Sequence, residues 1–109
     1  GAEAKYRLAE LYVKQKQYDQ AEKEILEFSE KASPHEYWIA RSFILWADIF
    51  AHKGDYFQAI QTLQSIIDYY ETADDGILTM ARNRKQDMEK LQSANEQPVE
   101  SQDMEVNID

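Results

Sequence analysis

Apolar residues recur at helical spacing in five stretches of the chain. Ala4, Leu8, Leu11 and Tyr12 fall three or four positions apart, or side by side on one stripe, which predicts a helix with one dry face. A polar break, Gln15-Lys16-Gln17, follows. Tyr18, Ala21, Ile25 and Phe28 then set a second stripe. A third helix carries Ile39, Phe43, Trp46, Ala47 and Phe50, and Gly54-Asp55 interrupts it. Tyr56, Ala59, Ile60, Leu63, Ile66 and Ile67 define a fourth. Ile77, Ala81, Met88 and Leu91 mark a narrower stripe on an otherwise charged fifth helix.

The breaks have local chemical causes. Ser33-Pro34-His35-Glu36 has the order of a capping box, with Ser33 at the N-cap, Pro34 in the first helical position and Glu36 reaching back. Gly54 suits the left-handed conformation that ends a helix. Asp55 can cap the helix that follows, with Gln58 three residues on. Lys16 stands where Gly54 stands in the next unit, and a left-handed Lys costs about 1 kcal/mol relative to Gly. Thr72-Ala73-Asp74-Asp75 reads as a further helix start, with Thr72 as cap and acids at the positive end.

The helices repeat. Shifting the chain by 38 positions lays Ala9 on Ala47, Tyr18 on Tyr56, Gln20 on Gln58 and Ala21 on Ala59. Leu11 falls on Ile49, Tyr12 on Phe50, Ile25 on Leu63 and Phe28 on Ile66. Leu8-Ala9-x2-Tyr12 with Ala21-x3-Ile25, and Trp46-Ala47-x2-Phe50 with Ala59-x3-Leu63, resemble the tetratricopeptide repeat (TPR) pattern. The period is longer than the family's usual 34 residues, and Lys5 and Phe43 replace its first Trp. The resemblance implies an all-α fold of antiparallel helix hairpins, stacked as a short right-handed superhelix. Hairpins are expected at about 2–32 and 34–70, with a capping helix at about 73–91. Together they make one domain, 1–91, followed by an acidic, disordered tail at 92–109.

Charge and composition narrow the function. The chain has 109 residues and a formal net charge of −9. That argues against binding a nucleic-acid backbone, which needs a basic surface. The stretch from Gln92 onward holds five acidic residues and no Lys or Arg, too polar to offset its own ordering entropy. Cysteine is absent, so thiolate metal sites and disulfides are excluded. No apolar run is long enough to span a bilayer.

No catalytic constellation is visible, and no cofactor or metal is expected. His35 and His52 lack the partners that general acid–base work requires. Asp74-Asp75-Gly76 lacks the ligand spacing of a calcium loop and reads better as a cap. Trp46, Phe43, Phe50, Tyr18 and Tyr56 read as core aromatics. Tyr37 and Trp38 are adjacent and cannot both face one stripe, which leaves one of them for the surface.

The resemblance implies a non-catalytic protein-interaction module. Its concave groove would be lined by Glu3, Tyr6, Glu10 and Val13 from the first repeat, and by Arg41, Ile44, Asp48 and Ala51 from the second. Glu10 and Asp48 would repel a C-terminal carboxylate, so the expected partner is a neutral or basic peptide or protein. The alternatives are a structural end of a longer array with binding upstream, and an accessory module of an enzyme. The chain opens on Gly1 rather than Met and is read as a fragment. Ala4, Leu8 and Leu11 would then have faced an upstream hairpin, and their exposure favours a homodimer through the N-terminal helix. The long period and acidic end are also similar to the C-terminal parts of large TPR proteins of Gram-negative cell envelopes. That implies a periplasmic or outer-membrane-associated setting, with the cytoplasm as the alternative.

Overall fold

A computed structural model of the chain describes residues 1–31 and 36–108, with side chains described as far as Asn95. Five helices follow one another: α1 (Ala2–Lys14), α2 (Tyr18–Glu30), α3 (Glu36–His52), α4 (Tyr56–Tyr69) and α5 (Ile77–Ile108). Among the described residues there is no strand. Ser33, Pro34 and His35, expected to start α3, lie outside the described residues.

The two hairpin turns are the same object, repeated at the expected interval. In the first, Lys16 N–H donates to Val13 O (2.9 Å) and Gln17 N–H to Tyr12 O (2.8 Å). In the second, Gly54 N–H donates to Ala51 O (2.9 Å) and Asp55 N–H to Phe50 O (2.8 Å). This pair of bonds is the Schellman closure, which satisfies orphan carbonyls and needs a left-handed residue. Gly54 supplies it at φ 82°, and Lys16 is forced to φ 61°. Asp55 then caps α4, accepting from Gln58 N–H at 3.1 Å and from Gln58 Nε2 at 3.0 Å. Gln17 offers α2 no such side-chain bond.

α3 packs against all four other helices. A helix surrounded on most sides must be apolar on most sides. Two clusters flank it. On one side Leu45 and Ile49 meet Tyr6, Ala9, Ala21 and Ile25. On the other, Ala40, Ile44 and Ala47 meet Ala59, Leu63 and Ile66, with Ile77, Ala81 and Met88 from α5. Ala9, Ala21, Ala47 and Ala59 are all buried, the small residues that let paired helices approach. Among the described residues one polar side chain is buried, Ser42, which donates to Trp38 O at 2.8 Å and is satisfied.

Three expectations change. The buried face of α1 is Tyr6 and Ala9, whereas Leu8 (38 % exposed) and Leu11 (48 %) point away from α3. Neither Tyr37 nor Trp38 is released to the surface. Both are half-buried, Tyr37 against the cluster shared with α5 and Trp38 against the cluster shared with α1. α5 begins at Ile77 rather than near 73, because Gly76 turns the chain at φ 86° and Asp75, not Thr72, accepts the Ile77 N–H at 3.1 Å. The acidic stretch 92–109 continues α5 in its backbone as far as Ile108.

Candidate partner-binding face

Helices α1, α3 and α5 lie side by side, α3 between the other two, and α1 and α3 carry the residues expected to line a groove. A connected network crosses from α1 to α3. Arg7 bridges Glu3 (3.4 Å) and Glu10 (3.2 Å) on its own helix. Tyr6 Oη donates to Glu10 Oε2 at 3.3 Å. It also accepts from Arg41 at 3.1 Å, and Arg41 donates to Tyr37 Oη at 2.9 Å. The Arg41 guanidinium lies 4.9 Å from the Tyr6 ring centre, and Arg7 lies 5.6 Å from that of Trp38. Such stacking holds a cation in place while its remaining N–H groups stay available.

Among the described residues no carboxylate pairs with Arg41. Its guanidinium is held by the hydroxyls of Tyr37 and Tyr6 and by the surrounding aromatic rings. Burial works against the charged form, and the hydrogen bonds that the guanidinium donates to Tyr37 and Tyr6 outweigh it, so the group ends above its ordinary value. The Tyr6 hydroxyl is raised as well, mainly by burial, with Arg41 opposing and Glu10 assisting. Asp48 has a different fate. It forms an ion pair with Arg84 of α5 at 2.5 Å, which raises the Arg84 guanidinium against the cost of its burial.

The expected groove residues therefore divide. Glu3, Glu10, Arg41 and Asp48 keep accessible polar groups on this side. Tyr6 (4 % exposed) and Ile44 (3 %) do not line an open groove. Tyr6 is a wall of the α1–α3 interface, and Ile44 sits in the cluster that α5 closes. Val13 and Ala51 are half-buried at the edges of the two clusters. Three charged or polar partners were not anticipated: Arg7, Tyr37 and Arg84. Arg7 was readable as an i+4 and i−3 neighbour of Glu3 and Glu10. Arg84 was not, because α5 does not continue the repeat and its register against α3 had no counterpart. With these included, three acids meet three arginines, and the face is balanced rather than acidic.

The remaining candidate chemistry takes structural roles. The His52 ring stacks on Tyr18 with centroids 5.0 Å apart. Trp46 Nε1 donates to Glu22 at 3.0 Å, and Lys53 Nζ pairs with Glu22 (2.6 Å) and Asp19 (3.0 Å), tying α2 to the end of α3. Asp75 also accepts from the Tyr70 hydroxyl. His35 lies outside the described residues.

The paired hairpins, their repeated Schellman turns and the alanines at the crossings define a helical-repeat protein. The tetratricopeptide repeat family model matches residues 3–29 and 37–73, and the chain belongs to that family. Neither characterised proteins nor solved structures yield a match. Repeats of this family are in general protein–protein interaction modules. No described helix is long and apolar enough to cross a membrane.

Proposed function

We propose that the chain is a non-catalytic interaction module that holds a segment of a partner protein along α1 and α3, centred on Arg41. The observation that carries this is Arg41 itself: a half-buried guanidinium, fixed by two phenol hydroxyls and an aromatic face, with no carboxylate partner among the described residues. Its unused donors suit the backbone carbonyls of an extended peptide. Glu3 and Glu10 are already paired with Arg7 on α1, so the face is charge-balanced and suits a neutral extended segment.

The experiment is selection of binders from a random peptide library on the intact chain, followed by affinity measurement on Arg41→Ala. Loss of an arginine anchor should weaken recovered peptides by more than about tenfold. Binders that ignore Arg41→Ala, or that share a C-terminal carboxylate motif, would sink the reading. Truncating Tyr6 or Ile44 is no test, since both are core residues.

A second reading has its own observation. Leu8 and Leu11 form an uncovered apolar stripe on α1, which suits stacking against another helical layer or a second copy of the chain.

A further inference from the structure

We infer that a cleft between the first half of α3 and the last half of α4 is a second docking site, for a protein segment that places one or two large apolar side chains between Lys or Arg residues. This site is separate from the Arg41 face. Ile39, Ala40 and Phe43 lie about 120° round α3 from Arg41, Ile44 and Asp48, at ~100° per residue.

The cleft holds about 300 Å³, and Ile39, Phe43 and Ile66 form its walls. That is the lower end of the ~300–1,000 Å³ range of ligand sites, room for one or two side chains rather than a large cofactor. Tyr69 stands on the rim with 81 % of its surface exposed. A large aromatic left this open is the residue type that anchors interfaces. The cleft is not a general property of these hairpins. One repeat earlier, Phe43 corresponds to Lys5 and Tyr69 to Lys31, so the first hairpin has lysines where the second has the wall and the rim.

Charge identifies the occupant. From Gly54 to Ala81 the chain has five acidic residues and no Lys, Arg or His. Four of them, Asp68, Glu71, Asp74 and Asp75, fall in the last turn of α4 and the turn after it. Glu36 lines the opposite rim. Elsewhere many acids have a basic partner, Glu3 and Glu10 in Arg7, Asp19 and Glu22 in Lys53, Asp48 in Arg84 and Glu89 in Lys85, and the unpaired Glu24, Glu27, Glu30 and Asp87 have Lys or Arg within four positions in the sequence. Glu36 is the one acid in the cleft lining, and neither it nor Asp68, Glu71, Asp74 or Asp75, which follow the lining residues of α4 in the chain, is in an ion pair among the described residues. The last turn of α4 contains no basic residue either, so the negative end of its dipole is uncompensated. An apolar cleft with an unmatched acidic rim recognises a basic, apolar-anchored segment by charge steering and burial together.

The test is NMR titration of the isotope-labelled intact chain with the amidated, acetylated peptide Lys-Lys-Phe-Leu-Lys-Lys. The amides of Ile39, Phe43, Ile66 and Tyr69 should shift. A peptide with Glu for Lys, or with Ala for Phe and Leu, should bind at least about tenfold more weakly. Tyr69→Ala and Glu36→Lys both alter exposed side chains, so the fold is kept. Each should weaken the peptide about tenfold, while Arg41→Ala leaves its affinity unchanged. The inference is overturned by shifts centred on Arg41 and Asp48, by equal binding of the Glu peptide, by indifference to both rim variants, or by no shifts at millimolar peptide. Loss of library binders in Arg41→Ala with no cleft shifts would remove this site and leave the other reading standing.

Discussion

The first and second hairpins share a turn bond for bond, yet differ in how well that turn is specified and in how much of each helix is covered. The second uses Gly54 at the left-handed position and Asp55 as a cap. The first uses Lys16 and Gln17 in the same geometry. α3 is flanked by α1 and α2 on one side, and both α3 and α4 pack against α5 on the other. α1 has a neighbour on only one side, so Leu8 and Leu11 stay partly wet. Identical backbone architecture therefore rests on unequal local chemistry, and the stack is closed at its C-terminal end and open at its N-terminal one. The inner hairpin should be the more protected from hydrogen exchange, because local opening there breaches a shared core.

The comparison can be broken most directly through leucines. Leu63 is fully buried between α3 and α5, whereas Leu11 is half exposed. Leu63→Ala should cost about 2–5 kcal/mol of unfolding free energy, and Leu11→Ala less than about 1 kcal/mol. Chemical denaturation of the two variants checks this, and equal losses would mean that the α1 face is covered in solution.

Exchanging the turn residues is the next sharpest probe. Lys16→Gly should stabilise the chain by about 1 kcal/mol, and Gly54→Lys should destabilise it by a similar amount. Denaturation midpoints moving the same way in both variants would show that the two turns are not equivalent in energy as they are in geometry.

The open face makes a prediction about mass. The unaltered chain should show a concentration-dependent rise in sedimentation mass, and Leu8→Lys with Leu11→Lys should abolish it. A monomeric unaltered chain at the highest soluble concentration would count against self-pairing through α1.

The smallest effect concerns pH. Burial, followed by the bond to Asp75, pushes the Tyr70 hydroxyl up to about 12. Because the folded value lies above the unfolded one of about 10, ionisation opposes folding. The stability from this group is intact below about pH 10 and is lost as pH rises through 12. Tyr70→Phe should flatten that part of the stability–pH curve. An unchanged slope would show that the hydroxyl is solvated in the folded state.

Much of the candidate face was legible beforehand. The repeat register places Glu3, Glu10, Arg41 and Asp48 on one side, because a helical period and a fixed lag are enough to align them. Tyr6 and Ile44 share that register, yet both are buried in the folded chain. Periodicity assigns a direction to a side chain, and whether that direction meets solvent depends on the next helix. Asp48 appeared to be free acidity until α5 brought Arg84 to it. The α3–α4 cleft was invisible for the same reason: it exists where a neighbour fails to arrive.

What the chain determined by itself are the elements that local chemistry settles: five helices from apolar spacing, the Gly54-Asp55 turn, the Asp55 cap, and the strained copy at Lys16 that the repeat demands. These need only residues within one or two turns of each other. Tertiary structure alone decided which apolar residues stay wet, which acids find a basic partner on another helix and where the surface remains hollow. Each of those is a contact between helices, made by residues far apart in the chain, and its energy depends on the register in which α3 meets α1 and α5.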